Sequence, residues 1–132
     1  MRLEYVLGYG IGSNHLTIQM EYLGGDLSIN RYKWYGRFTK KAVRRWMEEL
    51  AFVIDMVRKI EMLEFKPPIK IHLDGHFLDG RSAPDLANLH KVIGDAVQKG
   101  LGIDDKHFRF EDGEVKLGEA NPSLIIRIEG LG

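Results

Sequence analysis

The stretch APDLANLHKVIGDAVQKGLGIDD, Ala83 to Asp105, constrains the fold of this chain more than any other. At about 100° per residue, Leu86, Leu89, Val92, Ile93, Ala96 and Val97 fall on one side of a helix. Asn88, Lys91 and Asp95 fall on the other. Asp85 stands at the helix start, where a carboxylate caps free amides and complements the helix dipole. Gly100 and Gly102 predict the stop, and Asp104 and Asp105 follow it. From there the chain is expected to fold back towards the helix start.

The remaining pattern predicts a sheet for this helix to cover. Leu3–Tyr9 and His15–Tyr22 read as strands forming a hairpin, with Leu16, Ile18 and Met20 alternating against Thr17, Gln19 and Glu21. Leu27–Phe38 reads as an irregular loop in which Tyr32, Trp34, Tyr35 and Phe38 are interleaved with cations. Thr39 is the expected N-cap of a long helix over Lys40–Glu64, which Pro67 and Pro68 end. Ile69, Ile71 and Leu73 alternate with Lys70, His72 and Asp74 in a further strand that continues to Phe77. His107–Phe110 and Val115–Leu117 flank Asp112-Gly113 as a hairpin. Leu124–Ile128 gives a last, buried strand. The fold class is α/β (α+β): a small mixed sheet with two main helices packed on it.

A length of 132 residues predicts one domain with a core that needs no disulfide. The chain has no cysteine, so thiolate and zinc–thiolate chemistry are excluded. No apolar run is long enough for a membrane span, no secretion leader is recognisable, and a cytoplasmic protein is expected. The formal net charge is zero, which argues against a polyanion partner. Its distribution argues the other way. Arg31, Lys33, Arg37, Lys40, Lys41, Arg44 and Arg45 occur with no acidic residue among them. The last four oppose the dipole of the helix they begin, as cations serving something outside that helix would.

Three groups could carry chemistry. Asp85, Asp104 and Asp105 are hard oxygen donors suited to magnesium or manganese, and the alternative is a helix cap plus a solvated turn. Lys91 and Asn88 could contact a phosphate, against a solvated helix face. The basic, aromatic stretch Asn30–Arg45 could neutralise phosphates and stack on bases; the alternative makes Trp34 and Tyr35 core anchors. The five histidines have no metal-ligand spacing, and no phosphate-binding loop is present.

The run Asp85-Leu86-Ala87-Asn88-Leu89-His90-Lys91, then Asp95, then Asp104-Asp105, resembles the signature of the RusA-type Holliday junction resolvases, whose helix begins Asp-x-Asp-Asn-Leu-x-Lys. Ser28-Ile29-Asn30-Arg31-Tyr32 resembles that family's Asn-Arg-Tyr element. The likeness runs from about His15 to Glu129 within a single RusA-like domain of residues 1–132, and residues 1–14 look like an added N-terminal strand. It implies a homodimer that binds four-way DNA junctions and cuts them with Mg2+ or Mn2+ in recombination and repair, with no membrane and no organic cofactor. Asp85 and Asp105 match metal-binding and catalytic aspartates, with Asp104 beside the latter. Lys91 matches the helix lysine. Asn30, Arg31, Lys33, Arg37, Lys40, Lys41 and Arg44 would face DNA. The family's second helix aspartate is replaced by Ala87, whose methyl cannot ligate a metal. Either the chain is a weakened or inactive branched-DNA binder, or Asp74, Asp79 or Asp95 supplies the missing carboxylate, or the alanine is an engineered change.

Overall fold

The computed structural model describes residues 2–34 and 36–132. Five strands form one mixed sheet in the order β1-β2-β7-β5-β6: β1 (Val6–Ile11), β2 (His15–Glu21), β7 (Ser123–Gly130), β5 (Ile69–His76) and β6 (Phe108–Lys116). All neighbours are antiparallel except β5 and β6. A parallel pair needs a crossover, and α2 (His90–Leu101) supplies it. The long α1 (Lys41–Ile60) packs along α2. The fold is the mixed α+β layer that the alternating and helical periods predict.

One face of the sheet meets the helices. Leu16, Ile18 and Met20 of β2, Ile69, Ile71 and Leu73 of β5, and Leu124, Ile126 and Ile128 of β7 are fully buried there. Each such side chain contributes about 1.5–3 kcal/mol by leaving water. From α1, Val43, Trp46, Leu50, Val53, Ile54 and Val57 fill the same core. The Trp46 indole N–H donates to the Glu21 carbonyl at 2.7 Å, which fixes α1 against the end of β2. The other face carries Lys70, His72, Asp74 and Arg127, and among the described residues no helix lies over it.

Several expectations are corrected. The first strand lies at Val6–Ile11 rather than Leu3–Tyr9. The stretch read as irregular holds a 3-10 turn, Gly24–Leu27, and a two-residue hairpin of β3 (Lys33–Trp34) and β4 (Phe38–Thr39), with Tyr32 buried beneath it. Tyr35 lies outside the described residues, and Trp34 is exposed rather than a core anchor. Thr39 closes β4, so Lys40 takes the N-cap position with no side-chain capping bond to the helix. α1 ends at Ile60, well before Pro67. Gly100 does not stop α2 but lies inside it. A Cβ there would sit 2.7 Å from the Ile54 Cβ and 2.9 Å from the Ala51 carbonyl oxygen, so its absence lets α1 and α2 approach. Gly102 makes the stop, in the left-handed region at φ +70°. Asp112-Gly113 is not a hairpin turn: β6 runs unbroken through both and bulges there against β5.

Candidate active site

Asp85 is the N-cap of a 3-10 turn, Leu86–Leu89, that leads straight into α2. Its carboxylate accepts the Ala87 amide at 3.2 Å, as the capping rule predicts. Asn88, Lys91, Asp95 and Gln98 continue the same ridge at three- and four-residue steps. The Lys91 ammonium donates to Asp95 at 3.1 Å. That bond, with Asp95's charge behind it, raises the Lys91 pKa; Tyr32 and Asp105 add smaller contributions.

The far end of the ridge holds the aspartate pair. The Asp104 carboxylate caps a second 3-10 turn, Asp105–His107, by accepting the Lys106 amide at 3.0 Å. That bond holds its pKa below the usual carboxylate range, and a contact with the Asp105 carboxyl adds to the effect. The Asp105 amide donates to the Gln98 side chain at 2.9 Å, which pins the pair to the last turns of α2. The chain does fold back, but as β6: Phe110 stacks on His90 with ring centres 4.1 Å apart, and Asp112 meets His90 Nε2 at 2.7 Å. The carboxylate returned towards the helix start is therefore Asp112.

Asp104 and Asp105 are adjacent just beyond the C-terminus of α2, whereas Asp85 caps the turn that precedes its first residue. Among the described residues, no group of three His, Asp or Glu side chains is placed to hold a metal ion. The residues of one chain do not fit the three-carboxylate ion site implied by the resemblance. Asp74, Asp79 and Asp95 each have partners of their own. Asp74 meets His72 and the Glu114 amide, Asp79 accepts the Ser82 amide at 2.8 Å, and Asp95 holds Lys91.

The cations divide between several places. Arg31 lines a cleft of about 690 Å³ whose wall includes Asp85, Asn88, Tyr22, Leu78 and Arg81. Arg81, on the loop after β5, was not singled out from sequence, because an isolated arginine there has no periodic or motif context. Lys41 and Arg44 line a separate hollow with Arg2, Arg45, Glu48 and Glu49. Lys40 pairs with Asp26 at 2.9 Å and lies 4.8 Å from the Trp34 ring centre; Lys33 lies over the Tyr32 ring. Arg37 and Asn30 are exposed.

No curated protein matches the chain. Among solved structures it is similar to the crystal structure of the protein Atu1372 with unknown function from Agrobacterium tumefaciens, at 16% identity and a TM-score of 0.44. The likeness covers 92% of this chain and 80% of that one, and at this level it carries no inference. The model of the family Endodeoxyribonuclease RusA matches residues 28–129, from Ser28 to Glu129 in the last strand. That span takes in the Asn30–Arg31 segment, both helices, the Asp85 ridge and the aspartate pair, and it is well over half of the sequence. The chain belongs to the RusA endodeoxyribonuclease family.

Proposed function

We propose that the protein binds four-way DNA junctions and that its phosphodiester cleavage is weakened by the alanine at position 87. The family is one of endodeoxyribonucleases, which points to Holliday junction resolution and recombination. Its nucleases generally depend on a divalent metal. The observation that carries the weakened reading is local. Ala87 is exposed on the first turn after Asp85, and Asp79 and Asp95 are hydrogen-bonded to Ser82 and Lys91. Arg31, Arg81 and Asn88 around Asp85 support binding of a phosphate strand at this end of the ridge.

A second reading, a fully active magnesium- or manganese-dependent resolvase, is favoured by the adjacent Asp104 and Asp105 carboxylates. Magnesium is commonly held by one or two carboxylates, waters and a substrate phosphate. In that reading Asp85 and Asp105 act as catalytic groups, and Lys91 stabilises developing charge.

A second copy of the chain completes the proposal. The edge strand β1 has no charged residue and no proline, and it leaves Leu7, Tyr9 and Ile11 half-exposed. The opposite edge, β6, is protected by Arg109, Glu111, Asp112, Glu114 and Lys116. An uncharged edge that pairs with its own copy makes a two-fold dimer. Sedimentation should show a dimer that Tyr9→Lys dissociates; a monomeric wild type removes this part.

The central experiment compares the chain carrying Ala87 with Ala87→Asp on a synthetic four-way junction and on linear duplex, with Mg2+ and then Mn2+. Both proteins should prefer the junction, with affinity falling steeply as salt rises. The variant should cleave at least about tenfold faster, the usual scale for loss of a metal-site group. Equal rates at saturating binding reject the weakened reading, and no junction preference rejects both.

A further inference from the structure

We propose that the cleft beside Asp85 takes one unstacked nucleotide of the DNA strand, with its phosphate between Arg31 and Arg81 and its base against Leu78 and the Tyr22 phenol. This rests on the reading that the protein binds branched DNA, and it names what the cleft recognises. At about 690 Å³ the cleft falls within the roughly 300–1,000 Å³ of sites that enclose a small ligand. Its two cations come from different segments, Arg31 from before β3 and Arg81 from after β5, and neither forms an ion pair among the described residues.

The walls suit a base. Leu78, an apolar side chain that lines the cleft, is 54% exposed. Tyr22 packs edge-on against the buried Phe77, with ring centres 5.0 Å apart, which holds its ring in place. Tyr22 and Arg31 both line the cleft, where burial pushes the phenol pKa up and the Arg31 charge offsets part of that rise. Asn88 is fixed through its carbonyl, which accepts the Ile29 amide at 2.8 Å. Its side-chain amide has no partner among the described residues and can read a base edge. A duplex base cannot reach such a cleft without leaving its stack, a step that costs least where pairing is already interrupted. A crossover provides that interruption.

The test uses a four-way junction carrying 2-aminopurine at successive crossover positions, with linear duplex of the same sequence as control. Binding should raise the fluorescence at one crossover position and leave the linear duplex unchanged. Arg81→Ala and Leu78→Ser, both exposed positions, should abolish the rise while junction binding weakens by no more than about tenfold. Arg81→Ala should also reduce the slope of log affinity against log salt by about one. A bound junction with no rise at any crossover position overturns the proposal and leaves junction binding intact. So does a rise that survives in both variants. Arg81-dependent binding of a free nucleoside monophosphate without a rise on the junction overturns it in favour of a free nucleotide. Failure to bind the junction at all overturns the functional reading, and this proposal with it.

Discussion

Glu49 is the charged residue most deeply committed to the fold, and replacing it gives a magnitude that can be worked from the structure. It lies in the middle of α1 and is 1% exposed. One carboxylate oxygen accepts the amides of Glu4 and Tyr5, both at 2.8 Å. The other has no hydrogen-bond partner and stands 3.6 Å from the Arg45 guanidinium. Hydrogen bonds to a charged group contribute about 1.5–3 kcal/mol each, so two give a gross figure of about 3–6 kcal/mol. In Glu49→Ala the two amides, on a segment close to the surface, recover part of this from water, which leaves about 2–3 kcal/mol. For a domain of this size that lowers Tm by roughly 10 °C. Glu49→Gln keeps an acceptor but loses the charge, and should cost about 1–2 kcal/mol. The assay is thermal unfolding by circular dichroism, with hydrogen exchange at Glu4 and Tyr5. Exchange there should accelerate in the alanine variant, and dimerisation should weaken, because these residues lead into β1. A Tm loss below about 2 °C, or equal losses for Ala and Gln, would refute the account.

Three further outcomes follow from the same geometry. Gly100→Ala should destabilise by about 1–2 kcal/mol in urea unfolding despite the better helix propensity of alanine, because its Cβ meets the fixed Ala51 carbonyl; a stabilised variant contradicts the packing. Asp79, Asp104 and Glu111 have pKa values held below the ordinary carboxylate range, by the Ser82 amide, the Lys106 amide and the His72 ring respectively. Their contribution is therefore complete above about pH 5 and is lost as pH falls through the lowered values, so acid unfolding should show NMR titrations of these three displaced to low pH. Lys91 runs the other way: its raised pKa gives stability that is present below the ordinary lysine value and lost as pH climbs through the raised one. Asp95→Asn should bring the Lys91 Nζ titration back down, and an unmoved titration would show that Asp95 is not the cause.

The sequence periods located what local physics decides. Alternation at Leu16, Ile18 and Met20 and at Ile69, Ile71 and Leu73 marks strands, because one face of each is buried and the other is not. What it could not show was what each strand lies against. Asp112-Gly113 has the composition of a tight turn, yet Gly113 is there because the Asp74 carboxylate and the His72 ring of β5 occupy the space of a Cβ. Gly100 looks like a helix stop but answers to a helix some fifty positions earlier in the chain. Both glycines respond to tertiary neighbours, and a glycine in sequence does not say which kind of demand it meets.

The same limit governs the candidate site. Spacing predicts Asn88, Lys91 and Asp95 on the polar side of one helix with Asp85 at its start; in the structure Asp85 and Asn88 belong to the 3-10 turn and Lys91 and Asp95 to α2. It could not say where the following aspartates would lie, and Gln98 holds Asp105 at the far end. Among the described residues no three carboxylates gather to hold one ion, so either each end acts alone or a second copy brings the Asp105 end of one chain to the Asp85 end of the other. A double variant separates these. In an Ala87→Asp protein the Asp85 end carries two carboxylates, enough for magnesium completed by water and a phosphate. If that end acts alone, adding Asp105→Asn should leave cleavage within about threefold, since nothing near the scissile phosphate has changed. If the ends cooperate across a dimer, the same change should reduce cleavage by about a hundredfold at unchanged junction affinity, the upper scale for loss of a metal-site group. Mixing Asp85→Asn and Asp105→Asn chains in that background would then restore one working site per dimer in the cooperative case. A mixture no more active than either parent would exclude sharing between subunits.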